Sequence, residues 1–126
     1  MKTIKGITIC TLFALCSLLL AGCGSKADEN KSIGEVKAEA EKMDTAQIRA
    51  MAMKYKESII AKTGEIDKLL NRLKGIPVAD MRGDDAKEIK AEIERINKSQ
   101  SALGERFVVY YNKLKEKGGD TSGLEI

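Results

Sequence analysis

Histidine and tryptophan are absent from this 126-residue chain, which also has a single proline, Pro77, and three cysteines. Without histidine, imidazole acid–base catalysis is excluded, as are the Glu-x-x-His ligand sets of helical di-iron bundles. Aromatic side chains number five in all, three Tyr and two Phe. A core built from this chain is therefore mainly aliphatic, which points to helices before sheets. One proline leaves long stretches in which nothing interrupts helical hydrogen bonding. No glycine-rich phosphate loop occurs.

Long uncharged runs are also missing, with one exception. From Gly6 to Leu20 the chain is apolar or small, and it follows Lys2 and Lys5. Such a run is shorter than the roughly 20 residues a membrane-spanning helix needs, and it has the length of the apolar region of an export signal. A short spanning anchor is the competing reading. Leu20-Ala21-Gly22-Cys23 comes next. This segment resembles the lipobox of bacterial lipoproteins, a resemblance confined to the first 23 residues. It implies that residues 1–22 are a cleaved signal peptide, with Leu20, Ala21 and Gly22 read by the signal peptidase. It further implies that Cys23 becomes the first residue of the exported chain, carrying a diacylglyceryl thioether and often an amide-linked acyl group. By the same resemblance the anchor lies on the non-cytoplasmic side of the cell membrane or of an outer membrane, and Gly24, where inner-membrane lipoproteins of enteric bacteria often carry Asp, leans toward the outer membrane's periplasmic face.

Cleavage changes the remaining counts. Cys10 and Cys16 leave with the signal, so a thiol already occupied by lipid is the last cysteine and no disulfide framework is possible. Lys2 and Lys5 also leave, which takes the 22 basic residues to 20 against 19 acidic ones. A balance so near neutral argues against nucleic-acid partners, which need clustered positive charge. Membrane attachment falls to the lipid, and each buried CH₂ of an acyl chain contributes about 0.8 kcal/mol.

The 104 residues from Cys23 to Ile126 suffice for one small domain. Polar, small residues at 23–31 read as a lipidated flexible tether. Residues 32–117 read as a helical domain. Ser32 and Glu35 have capping-box spacing and open a short helix over about 32–43. Asp44 or Thr45, with Gln47, opens a second over about 45–74. With Ala52 as heptad position a, the a series is Ala52, Ile59, Ile66 and Leu73, and the d series is Ile48, Tyr55, Lys62 and Leu69. Gly75 and Pro77 end that helix, and the connection to Gly83 is short enough to turn the chain back. A third helix, about 85–117, carries Ala86, Ile93, Gln100, Phe107 and Leu114 at a, and Ile89, Ile96, Leu103 and Tyr110 at d. Gly118-Gly119 stops it, and residues 118–126 read as a flexible tail.

The expected fold is all-α: a long antiparallel hairpin, which the short first helix could complete to a three-helix bundle. Matching a to d positions pairs Ile66 with Ile96, Ile59 with Leu103 and Tyr55 with Phe107. It also places Lys62 opposite Gln100, a polar layer that would fix register; snorkelling of Lys62 to water is the alternative. A helix of about 30 residues spans about 45 Å, so the turn would stand clear of the membrane, with Met43 and Lys117 nearest to it.

Candidate chemistry is sparse. Asp84, Glu88 and Glu92 at i, i+4 and i+8 are one possible oxygen set for a hard cation, but they read more simply as a solvated helix face. Ser58 and Lys62 have the spacing of a Ser–Lys dyad with no oxyanion hole near them. Neither supports an enzyme, and no cofactor or metal is expected. Surplus apolar residues point elsewhere. Met51, Met53 and Ile60 fall outside the seam of the second helix, and Val108, Val109 and Tyr111 outside that of the third. The turn adds Ile76, Val78 and Met81. The six on the helices form one candidate surface for a protein partner or a second copy, unless Ile33, Val36, Ala40 and Met43 of the first helix cover part of it; the turn is a second candidate surface. The expectation is a lipid-anchored, non-catalytic interaction or scaffold module of the cell envelope; the alternative is a periplasmic chaperone or pilot-type carrier.

Overall fold

A computed structural model describes residues 26–126. The export signal, the lipobox and Cys23 lie outside the described residues. Three α-helices account for the domain: α1 (Ile33–Lys42), α2 (Thr45–Lys74) and α3 (Asp84–Glu116), with a 3₁₀ turn at Val78–Asp80. Among the described residues there are no strands.

Each boundary has a local cause. Ser32 Oγ accepts from the Glu35 amide at 3.2 Å while Glu35 accepts from the Ser32 amide at 2.9 Å, closing a capping box at the start of α1. Asp44 and Gln47 repeat it for α2, at 2.8 and 3.0 Å. Pro77 has no amide to donate and stops α2 for good. Asp84 and Asp85 lie in the first turn of α3, where the helix dipole favours negative charge. At the far end Gly118 takes φ +69°, and the Gly119 amide reaches the Leu114 carbonyl at 2.9 Å, a Schellman closure.

α2 and α3 pack against each other as an antiparallel hairpin, and α1 packs on α3. α1 runs parallel to α3, because contacts climb both chains together. Arg106 donates to the Lys31 carbonyl, Tyr110 to Glu39, Lys113 to Glu41 and Lys117 to the Met43 carbonyl. The main core therefore sits at the end opposite the turn. It joins Val36 and Ala40 of α1 to Ile48, Met51, Ala52, Tyr55 and Ile59 of α2 and to Leu103, Phe107, Tyr110 and Leu114 of α3. Nearer the turn the seam is two helices thick, and Ile66, Leu69, Leu73 and Ile93 are only half-buried.

Several expectations need correction. The tail over 118–126, expected to be flexible, packs against α2. Leu124 is 0% exposed inside the main core, and Lys56 Nζ donates to the Gly123 and Glu125 carbonyls at 2.8 and 2.6 Å. The tether, expected to be free through residue 31, is packed from residue 27 onward. Tyr55 Oη exchanges hydrogen bonds with the Asp28 backbone, at 3.2 Å from the amide and 3.1 Å to the carbonyl. The polar layer also differs. Gln100 Nε2 donates to Thr63 Oγ1 at 2.7 Å, whereas Lys62 turns outward to Glu65 at 3.5 Å. Lys62 has the longer stem and reaches solvent; Thr63 is short enough to stay beside the seam. In the main core Tyr55 lies against Tyr110, ring centroids 5.6 Å apart, and Phe107 against Tyr111 at 5.8 Å.

Candidate interaction surface

The first of the two candidate surfaces is partly covered, with Val36 and Ala40 of α1 in the same core as Met51. Met51 is buried in the main core and belongs to no exposed patch. Met53, Val109 and Tyr111 are half-buried and pack against that core. A two-position heptad hides this. Ile48, Met51, Ala52, Tyr55 and Ile59 follow the wider i, i+3, i+4 stripe of a helix with neighbours on two sides. Ile60 and Val108 do face solvent, at 54% and 50% exposure.

The turn is the second expected surface, and it is well defined. Asp80 N–H donates to the Pro77 carbonyl at 2.9 Å and Gly83 N–H to the Asp80 carbonyl at 2.8 Å. Lys90 Nζ reaches the Met81 carbonyl at 3.4 Å. Ile76 and Met81 are half-buried against the helix ends, while Val78 stands 91% exposed at the apex.

One surface was not anticipated. On the face of the hairpin that also carries residues 26–31, an open groove of about 910 Å³ runs from Glu65 and Ile96 to Ile76 and Asp85. Leu69, Ile89 and Ile96 supply its apolar lining, with Lys68 and Arg72 on the α2 side and Glu88 and Glu92 on the α3 side. The heptads contained these residues but treated them as seam. What they could not show is that α1, only ten residues long, stops short and leaves this half of the groove unfilled.

The two sets of polar residues considered for chemistry do not assemble. Ser58 Oγ donates to the Lys54 carbonyl at 2.9 Å and Lys62 pairs with Glu65, so the two do not meet as a dyad. Asp84 lies 3.7 Å from Lys87 Nζ, and Glu92 pairs with Arg95. Among the described residues no group of acidic or sulfur side chains is arranged to hold a metal ion.

A cluster of charge and hydrogen bonds centres on Glu39, half-buried at the edge of the α1 face that packs on α3. One of its oxygens accepts from Lys31 Nζ at 2.6 Å and the other from Tyr110 Oη at 3.3 Å. The Glu39 hydrogen bond raises the Lys31 pKa, and burial chiefly, with the Glu39 charge added, raises that of Tyr110. This cluster ties α1 and the segment before it to α3 and offers no nucleophile.

Comparison with known protein families, with curated proteins and with solved structures finds no match for this chain. Among the described residues no helix is long and apolar enough to cross a membrane.

Proposed function

We propose that this protein is a lipid-anchored module of the bacterial cell envelope, held by a lipid on Cys23, that presents a helical hairpin to a protein partner without catalysis of its own. The reading joins the lipobox to one structural observation. Val78 stands 91% exposed on a 3₁₀ turn fixed by its own backbone hydrogen bonds. An apolar side chain held rigidly in water at the tip of a long hairpin has no part in this fold's core, and suits a partner's pocket. The outer membrane's periplasmic face is the proposed location, from Gly24 beside the lipidated residue.

A photo-crosslinking residue in place of Val78, introduced in the producing cell, tests the partner. A discrete adduct that Asn71, on the far side of α2, does not give would support the reading. Adduct formation equally strong from both positions would remove it, and an adduct of the chain with itself would make the partner a second copy. The open groove favours a second reading, a chaperone or pilot-type carrier. Its Met51–Met53 surface is lost to the core, so the groove would have to bind clients alone. Binding of many unfolded chains, in place of one folded partner, would select that reading.

A further inference from the structure

We infer that the hairpin lies along the membrane with its groove face toward the lipid, and does not stand on its open end. The inference rests on the lipid anchor at Cys23 proposed above and adds an orientation to it. Residues 26–31 do not leave the domain at the open end near Met43 and Lys117. They fold back over the middle of the hairpin, where Lys26 and Ala27 lie against Ser58, Lys62 and Leu103, and Glu29 bonds Ser99. Cys23 precedes Lys26 by three peptide links, which span at most about 11 Å.

The middle of the hairpin is about 20 Å from either end of α2, at 1.5 Å per residue. An anchor that reaches about 11 Å from mid-height cannot hold an upright hairpin clear of the bilayer. Standing on either end would drive that end roughly 10 Å into the membrane. The open end carries Lys42, Asp44 and Lys117, and the turn end Asp80, Arg82 and Asp84, all exposed. Charged side chains are strongly disfavoured at that depth. A hairpin lying near the membrane plane satisfies the short link with no charge submerged.

The same link selects the face. Along α2, Ser58, Lys62, Glu65, Leu69 and Arg72 recur at three- and four-residue spacing and share one side, with Ile76 just past the helix end. Residues 26–31 cover the first part of that stripe and the open groove exposes the rest. The chain thus departs from the groove side, and a helix about 10 Å thick separates it from the opposite side. The groove's occupant is accordingly the interfacial zone of the bilayer. The groove sets Lys68 and Arg72 among Glu65, Asp85, Glu88 and Glu92, an acidic balance that disfavours anionic lipid and leaves zwitterionic headgroups as the matching surface.

The test uses the lipidated protein reconstituted in phosphatidylcholine–phosphatidylethanolamine vesicles that carry a quencher on the headgroup. With the Cys23 sulfur in thioether linkage, a single introduced cysteine is the one thiol available to a fluorophore. Four sites suffice: Lys42→Cys at the open end, Arg82→Cys at the turn, Arg72→Cys on the groove side and Lys74→Cys opposite, about 160° around the helix from Arg72. Quenching at Lys42→Cys and Arg82→Cys should agree within about twofold, and Arg72→Cys should be quenched at least about threefold more than Lys74→Cys, about a helix diameter away. One end bright and the other dark, or equal quenching at 72 and 74, would overturn the orientation alone. A groove occupied by a second copy or a protein would leave Arg72→Cys bright and would likewise overturn the orientation. A purified chain whose Cys23 mass includes no lipid would overturn the anchor as well.

Discussion

Gln100 donates to Thr63 across the hairpin at 2.7 Å, and its amide also approaches the Ile59 carbonyl at 3.5 Å. This is where the uniform seam of the two long helices is interrupted, just beyond the reach of α1. A neutral bond of this kind contributes about 0.5–1.5 kcal/mol, and its geometry admits one register.

A double-mutant cycle of Gln100→Leu and Thr63→Val, read by urea unfolding, should therefore give a coupling energy of about 0.5–1 kcal/mol. Lys62→Leu combined with Gln100→Leu should be additive within about 0.3–0.5 kcal/mol, since Lys62 pairs with Glu65 instead. Additivity in the first cycle, or strong coupling in the second, would return the polar layer to Lys62.

The tail offers a larger effect. Leu124 is fully buried at the end of a segment held by Lys56 and by Arg49, whose Nη2 donates to the Ser122 carbonyl at 2.9 Å. Leu124→Ala should cost about 2–4 kcal/mol by lost burial and the cavity left behind, measured as a fall in the denaturation midpoint. Gly119→Ala should also destabilise, because an added Cβ would collide with Leu114 Cδ1. Ile126→Ala, at a residue 69% exposed, should change little. Wild-type stability in Leu124→Ala would show that the segment is only resting on α2.

These differences mark what the residues alone could convey. The three helices were legible because their caps and heptads are local signals: Ser32 with Glu35, Asp44 with Gln47, and Gly118 after Lys117. The antiparallel hairpin followed from the short Gly75–Gly83 connection. The docked tail and tether were not legible, because their partners are backbone carbonyls of Lys31, Ser122, Gly123 and Glu125. Every residue has a carbonyl, so no pattern in the sequence singles these out. Their apolar content, Leu124 and Ala27, is too little to create periodicity. The turn surface was legible in Val78; which of Met51, Met53 and Ile60 stay exposed was not, since that depends on where α1 and the tail come to lie.

Stability should depend on pH at both extremes. Hydrogen bonds from Ser32 to Glu35, from Lys113 to Glu41 and from the Ser122 amide to Asp120 hold these carboxyls below their ordinary values of 4.5, 4.5 and 3.8. The unfolded chain then takes up protons first as the pH falls. Their contribution is present above about pH 4.5 and is lost as the pH drops through the lower folded values. Lys31 and Lys113, bonded to Glu39 and to Glu116 and Glu41, are raised above 10.5, and Tyr110 is raised above 10.0. That contribution is complete below those values and fades as the pH climbs through the folded ones. Thermal melts across roughly pH 2 to 12 should show a broad plateau with losses at both ends. A melting temperature still rising below about pH 3 would contradict these assignments.

Arg106 joins the fold to the proposed anchoring geometry. Its side chain is 10% exposed; Nε donates to the Lys31 carbonyl at 2.7 Å and Nη1 to the Ala102 carbonyl at 2.6 Å. The first bond fastens the segment that leads to Cys23, so it also sets how short the link to the membrane is. Arg106→Met keeps much of the apolar stem and removes both donors, at a cost of about 1.5–3 kcal/mol for bonds from a charged group. The loss should be local. Amide hydrogen exchange should accelerate in residues 27–42, while Ile89–Ile96, remote from α1, keeps its protection. Adding Tyr55→Phe, which removes both bonds to the Asp28 backbone, should release residues 26–31; the link from Cys23 then grows to roughly nine residues, able to extend about 30 Å, so the hairpin could rise from the bilayer. In the vesicle experiment the quenching at Arg82→Cys should then fall while the protein stays bound through its lipid. Unchanged quenching together with faster exchange would mean that the membrane itself, and not the Arg106 and Tyr55 bonds, holds the hairpin down.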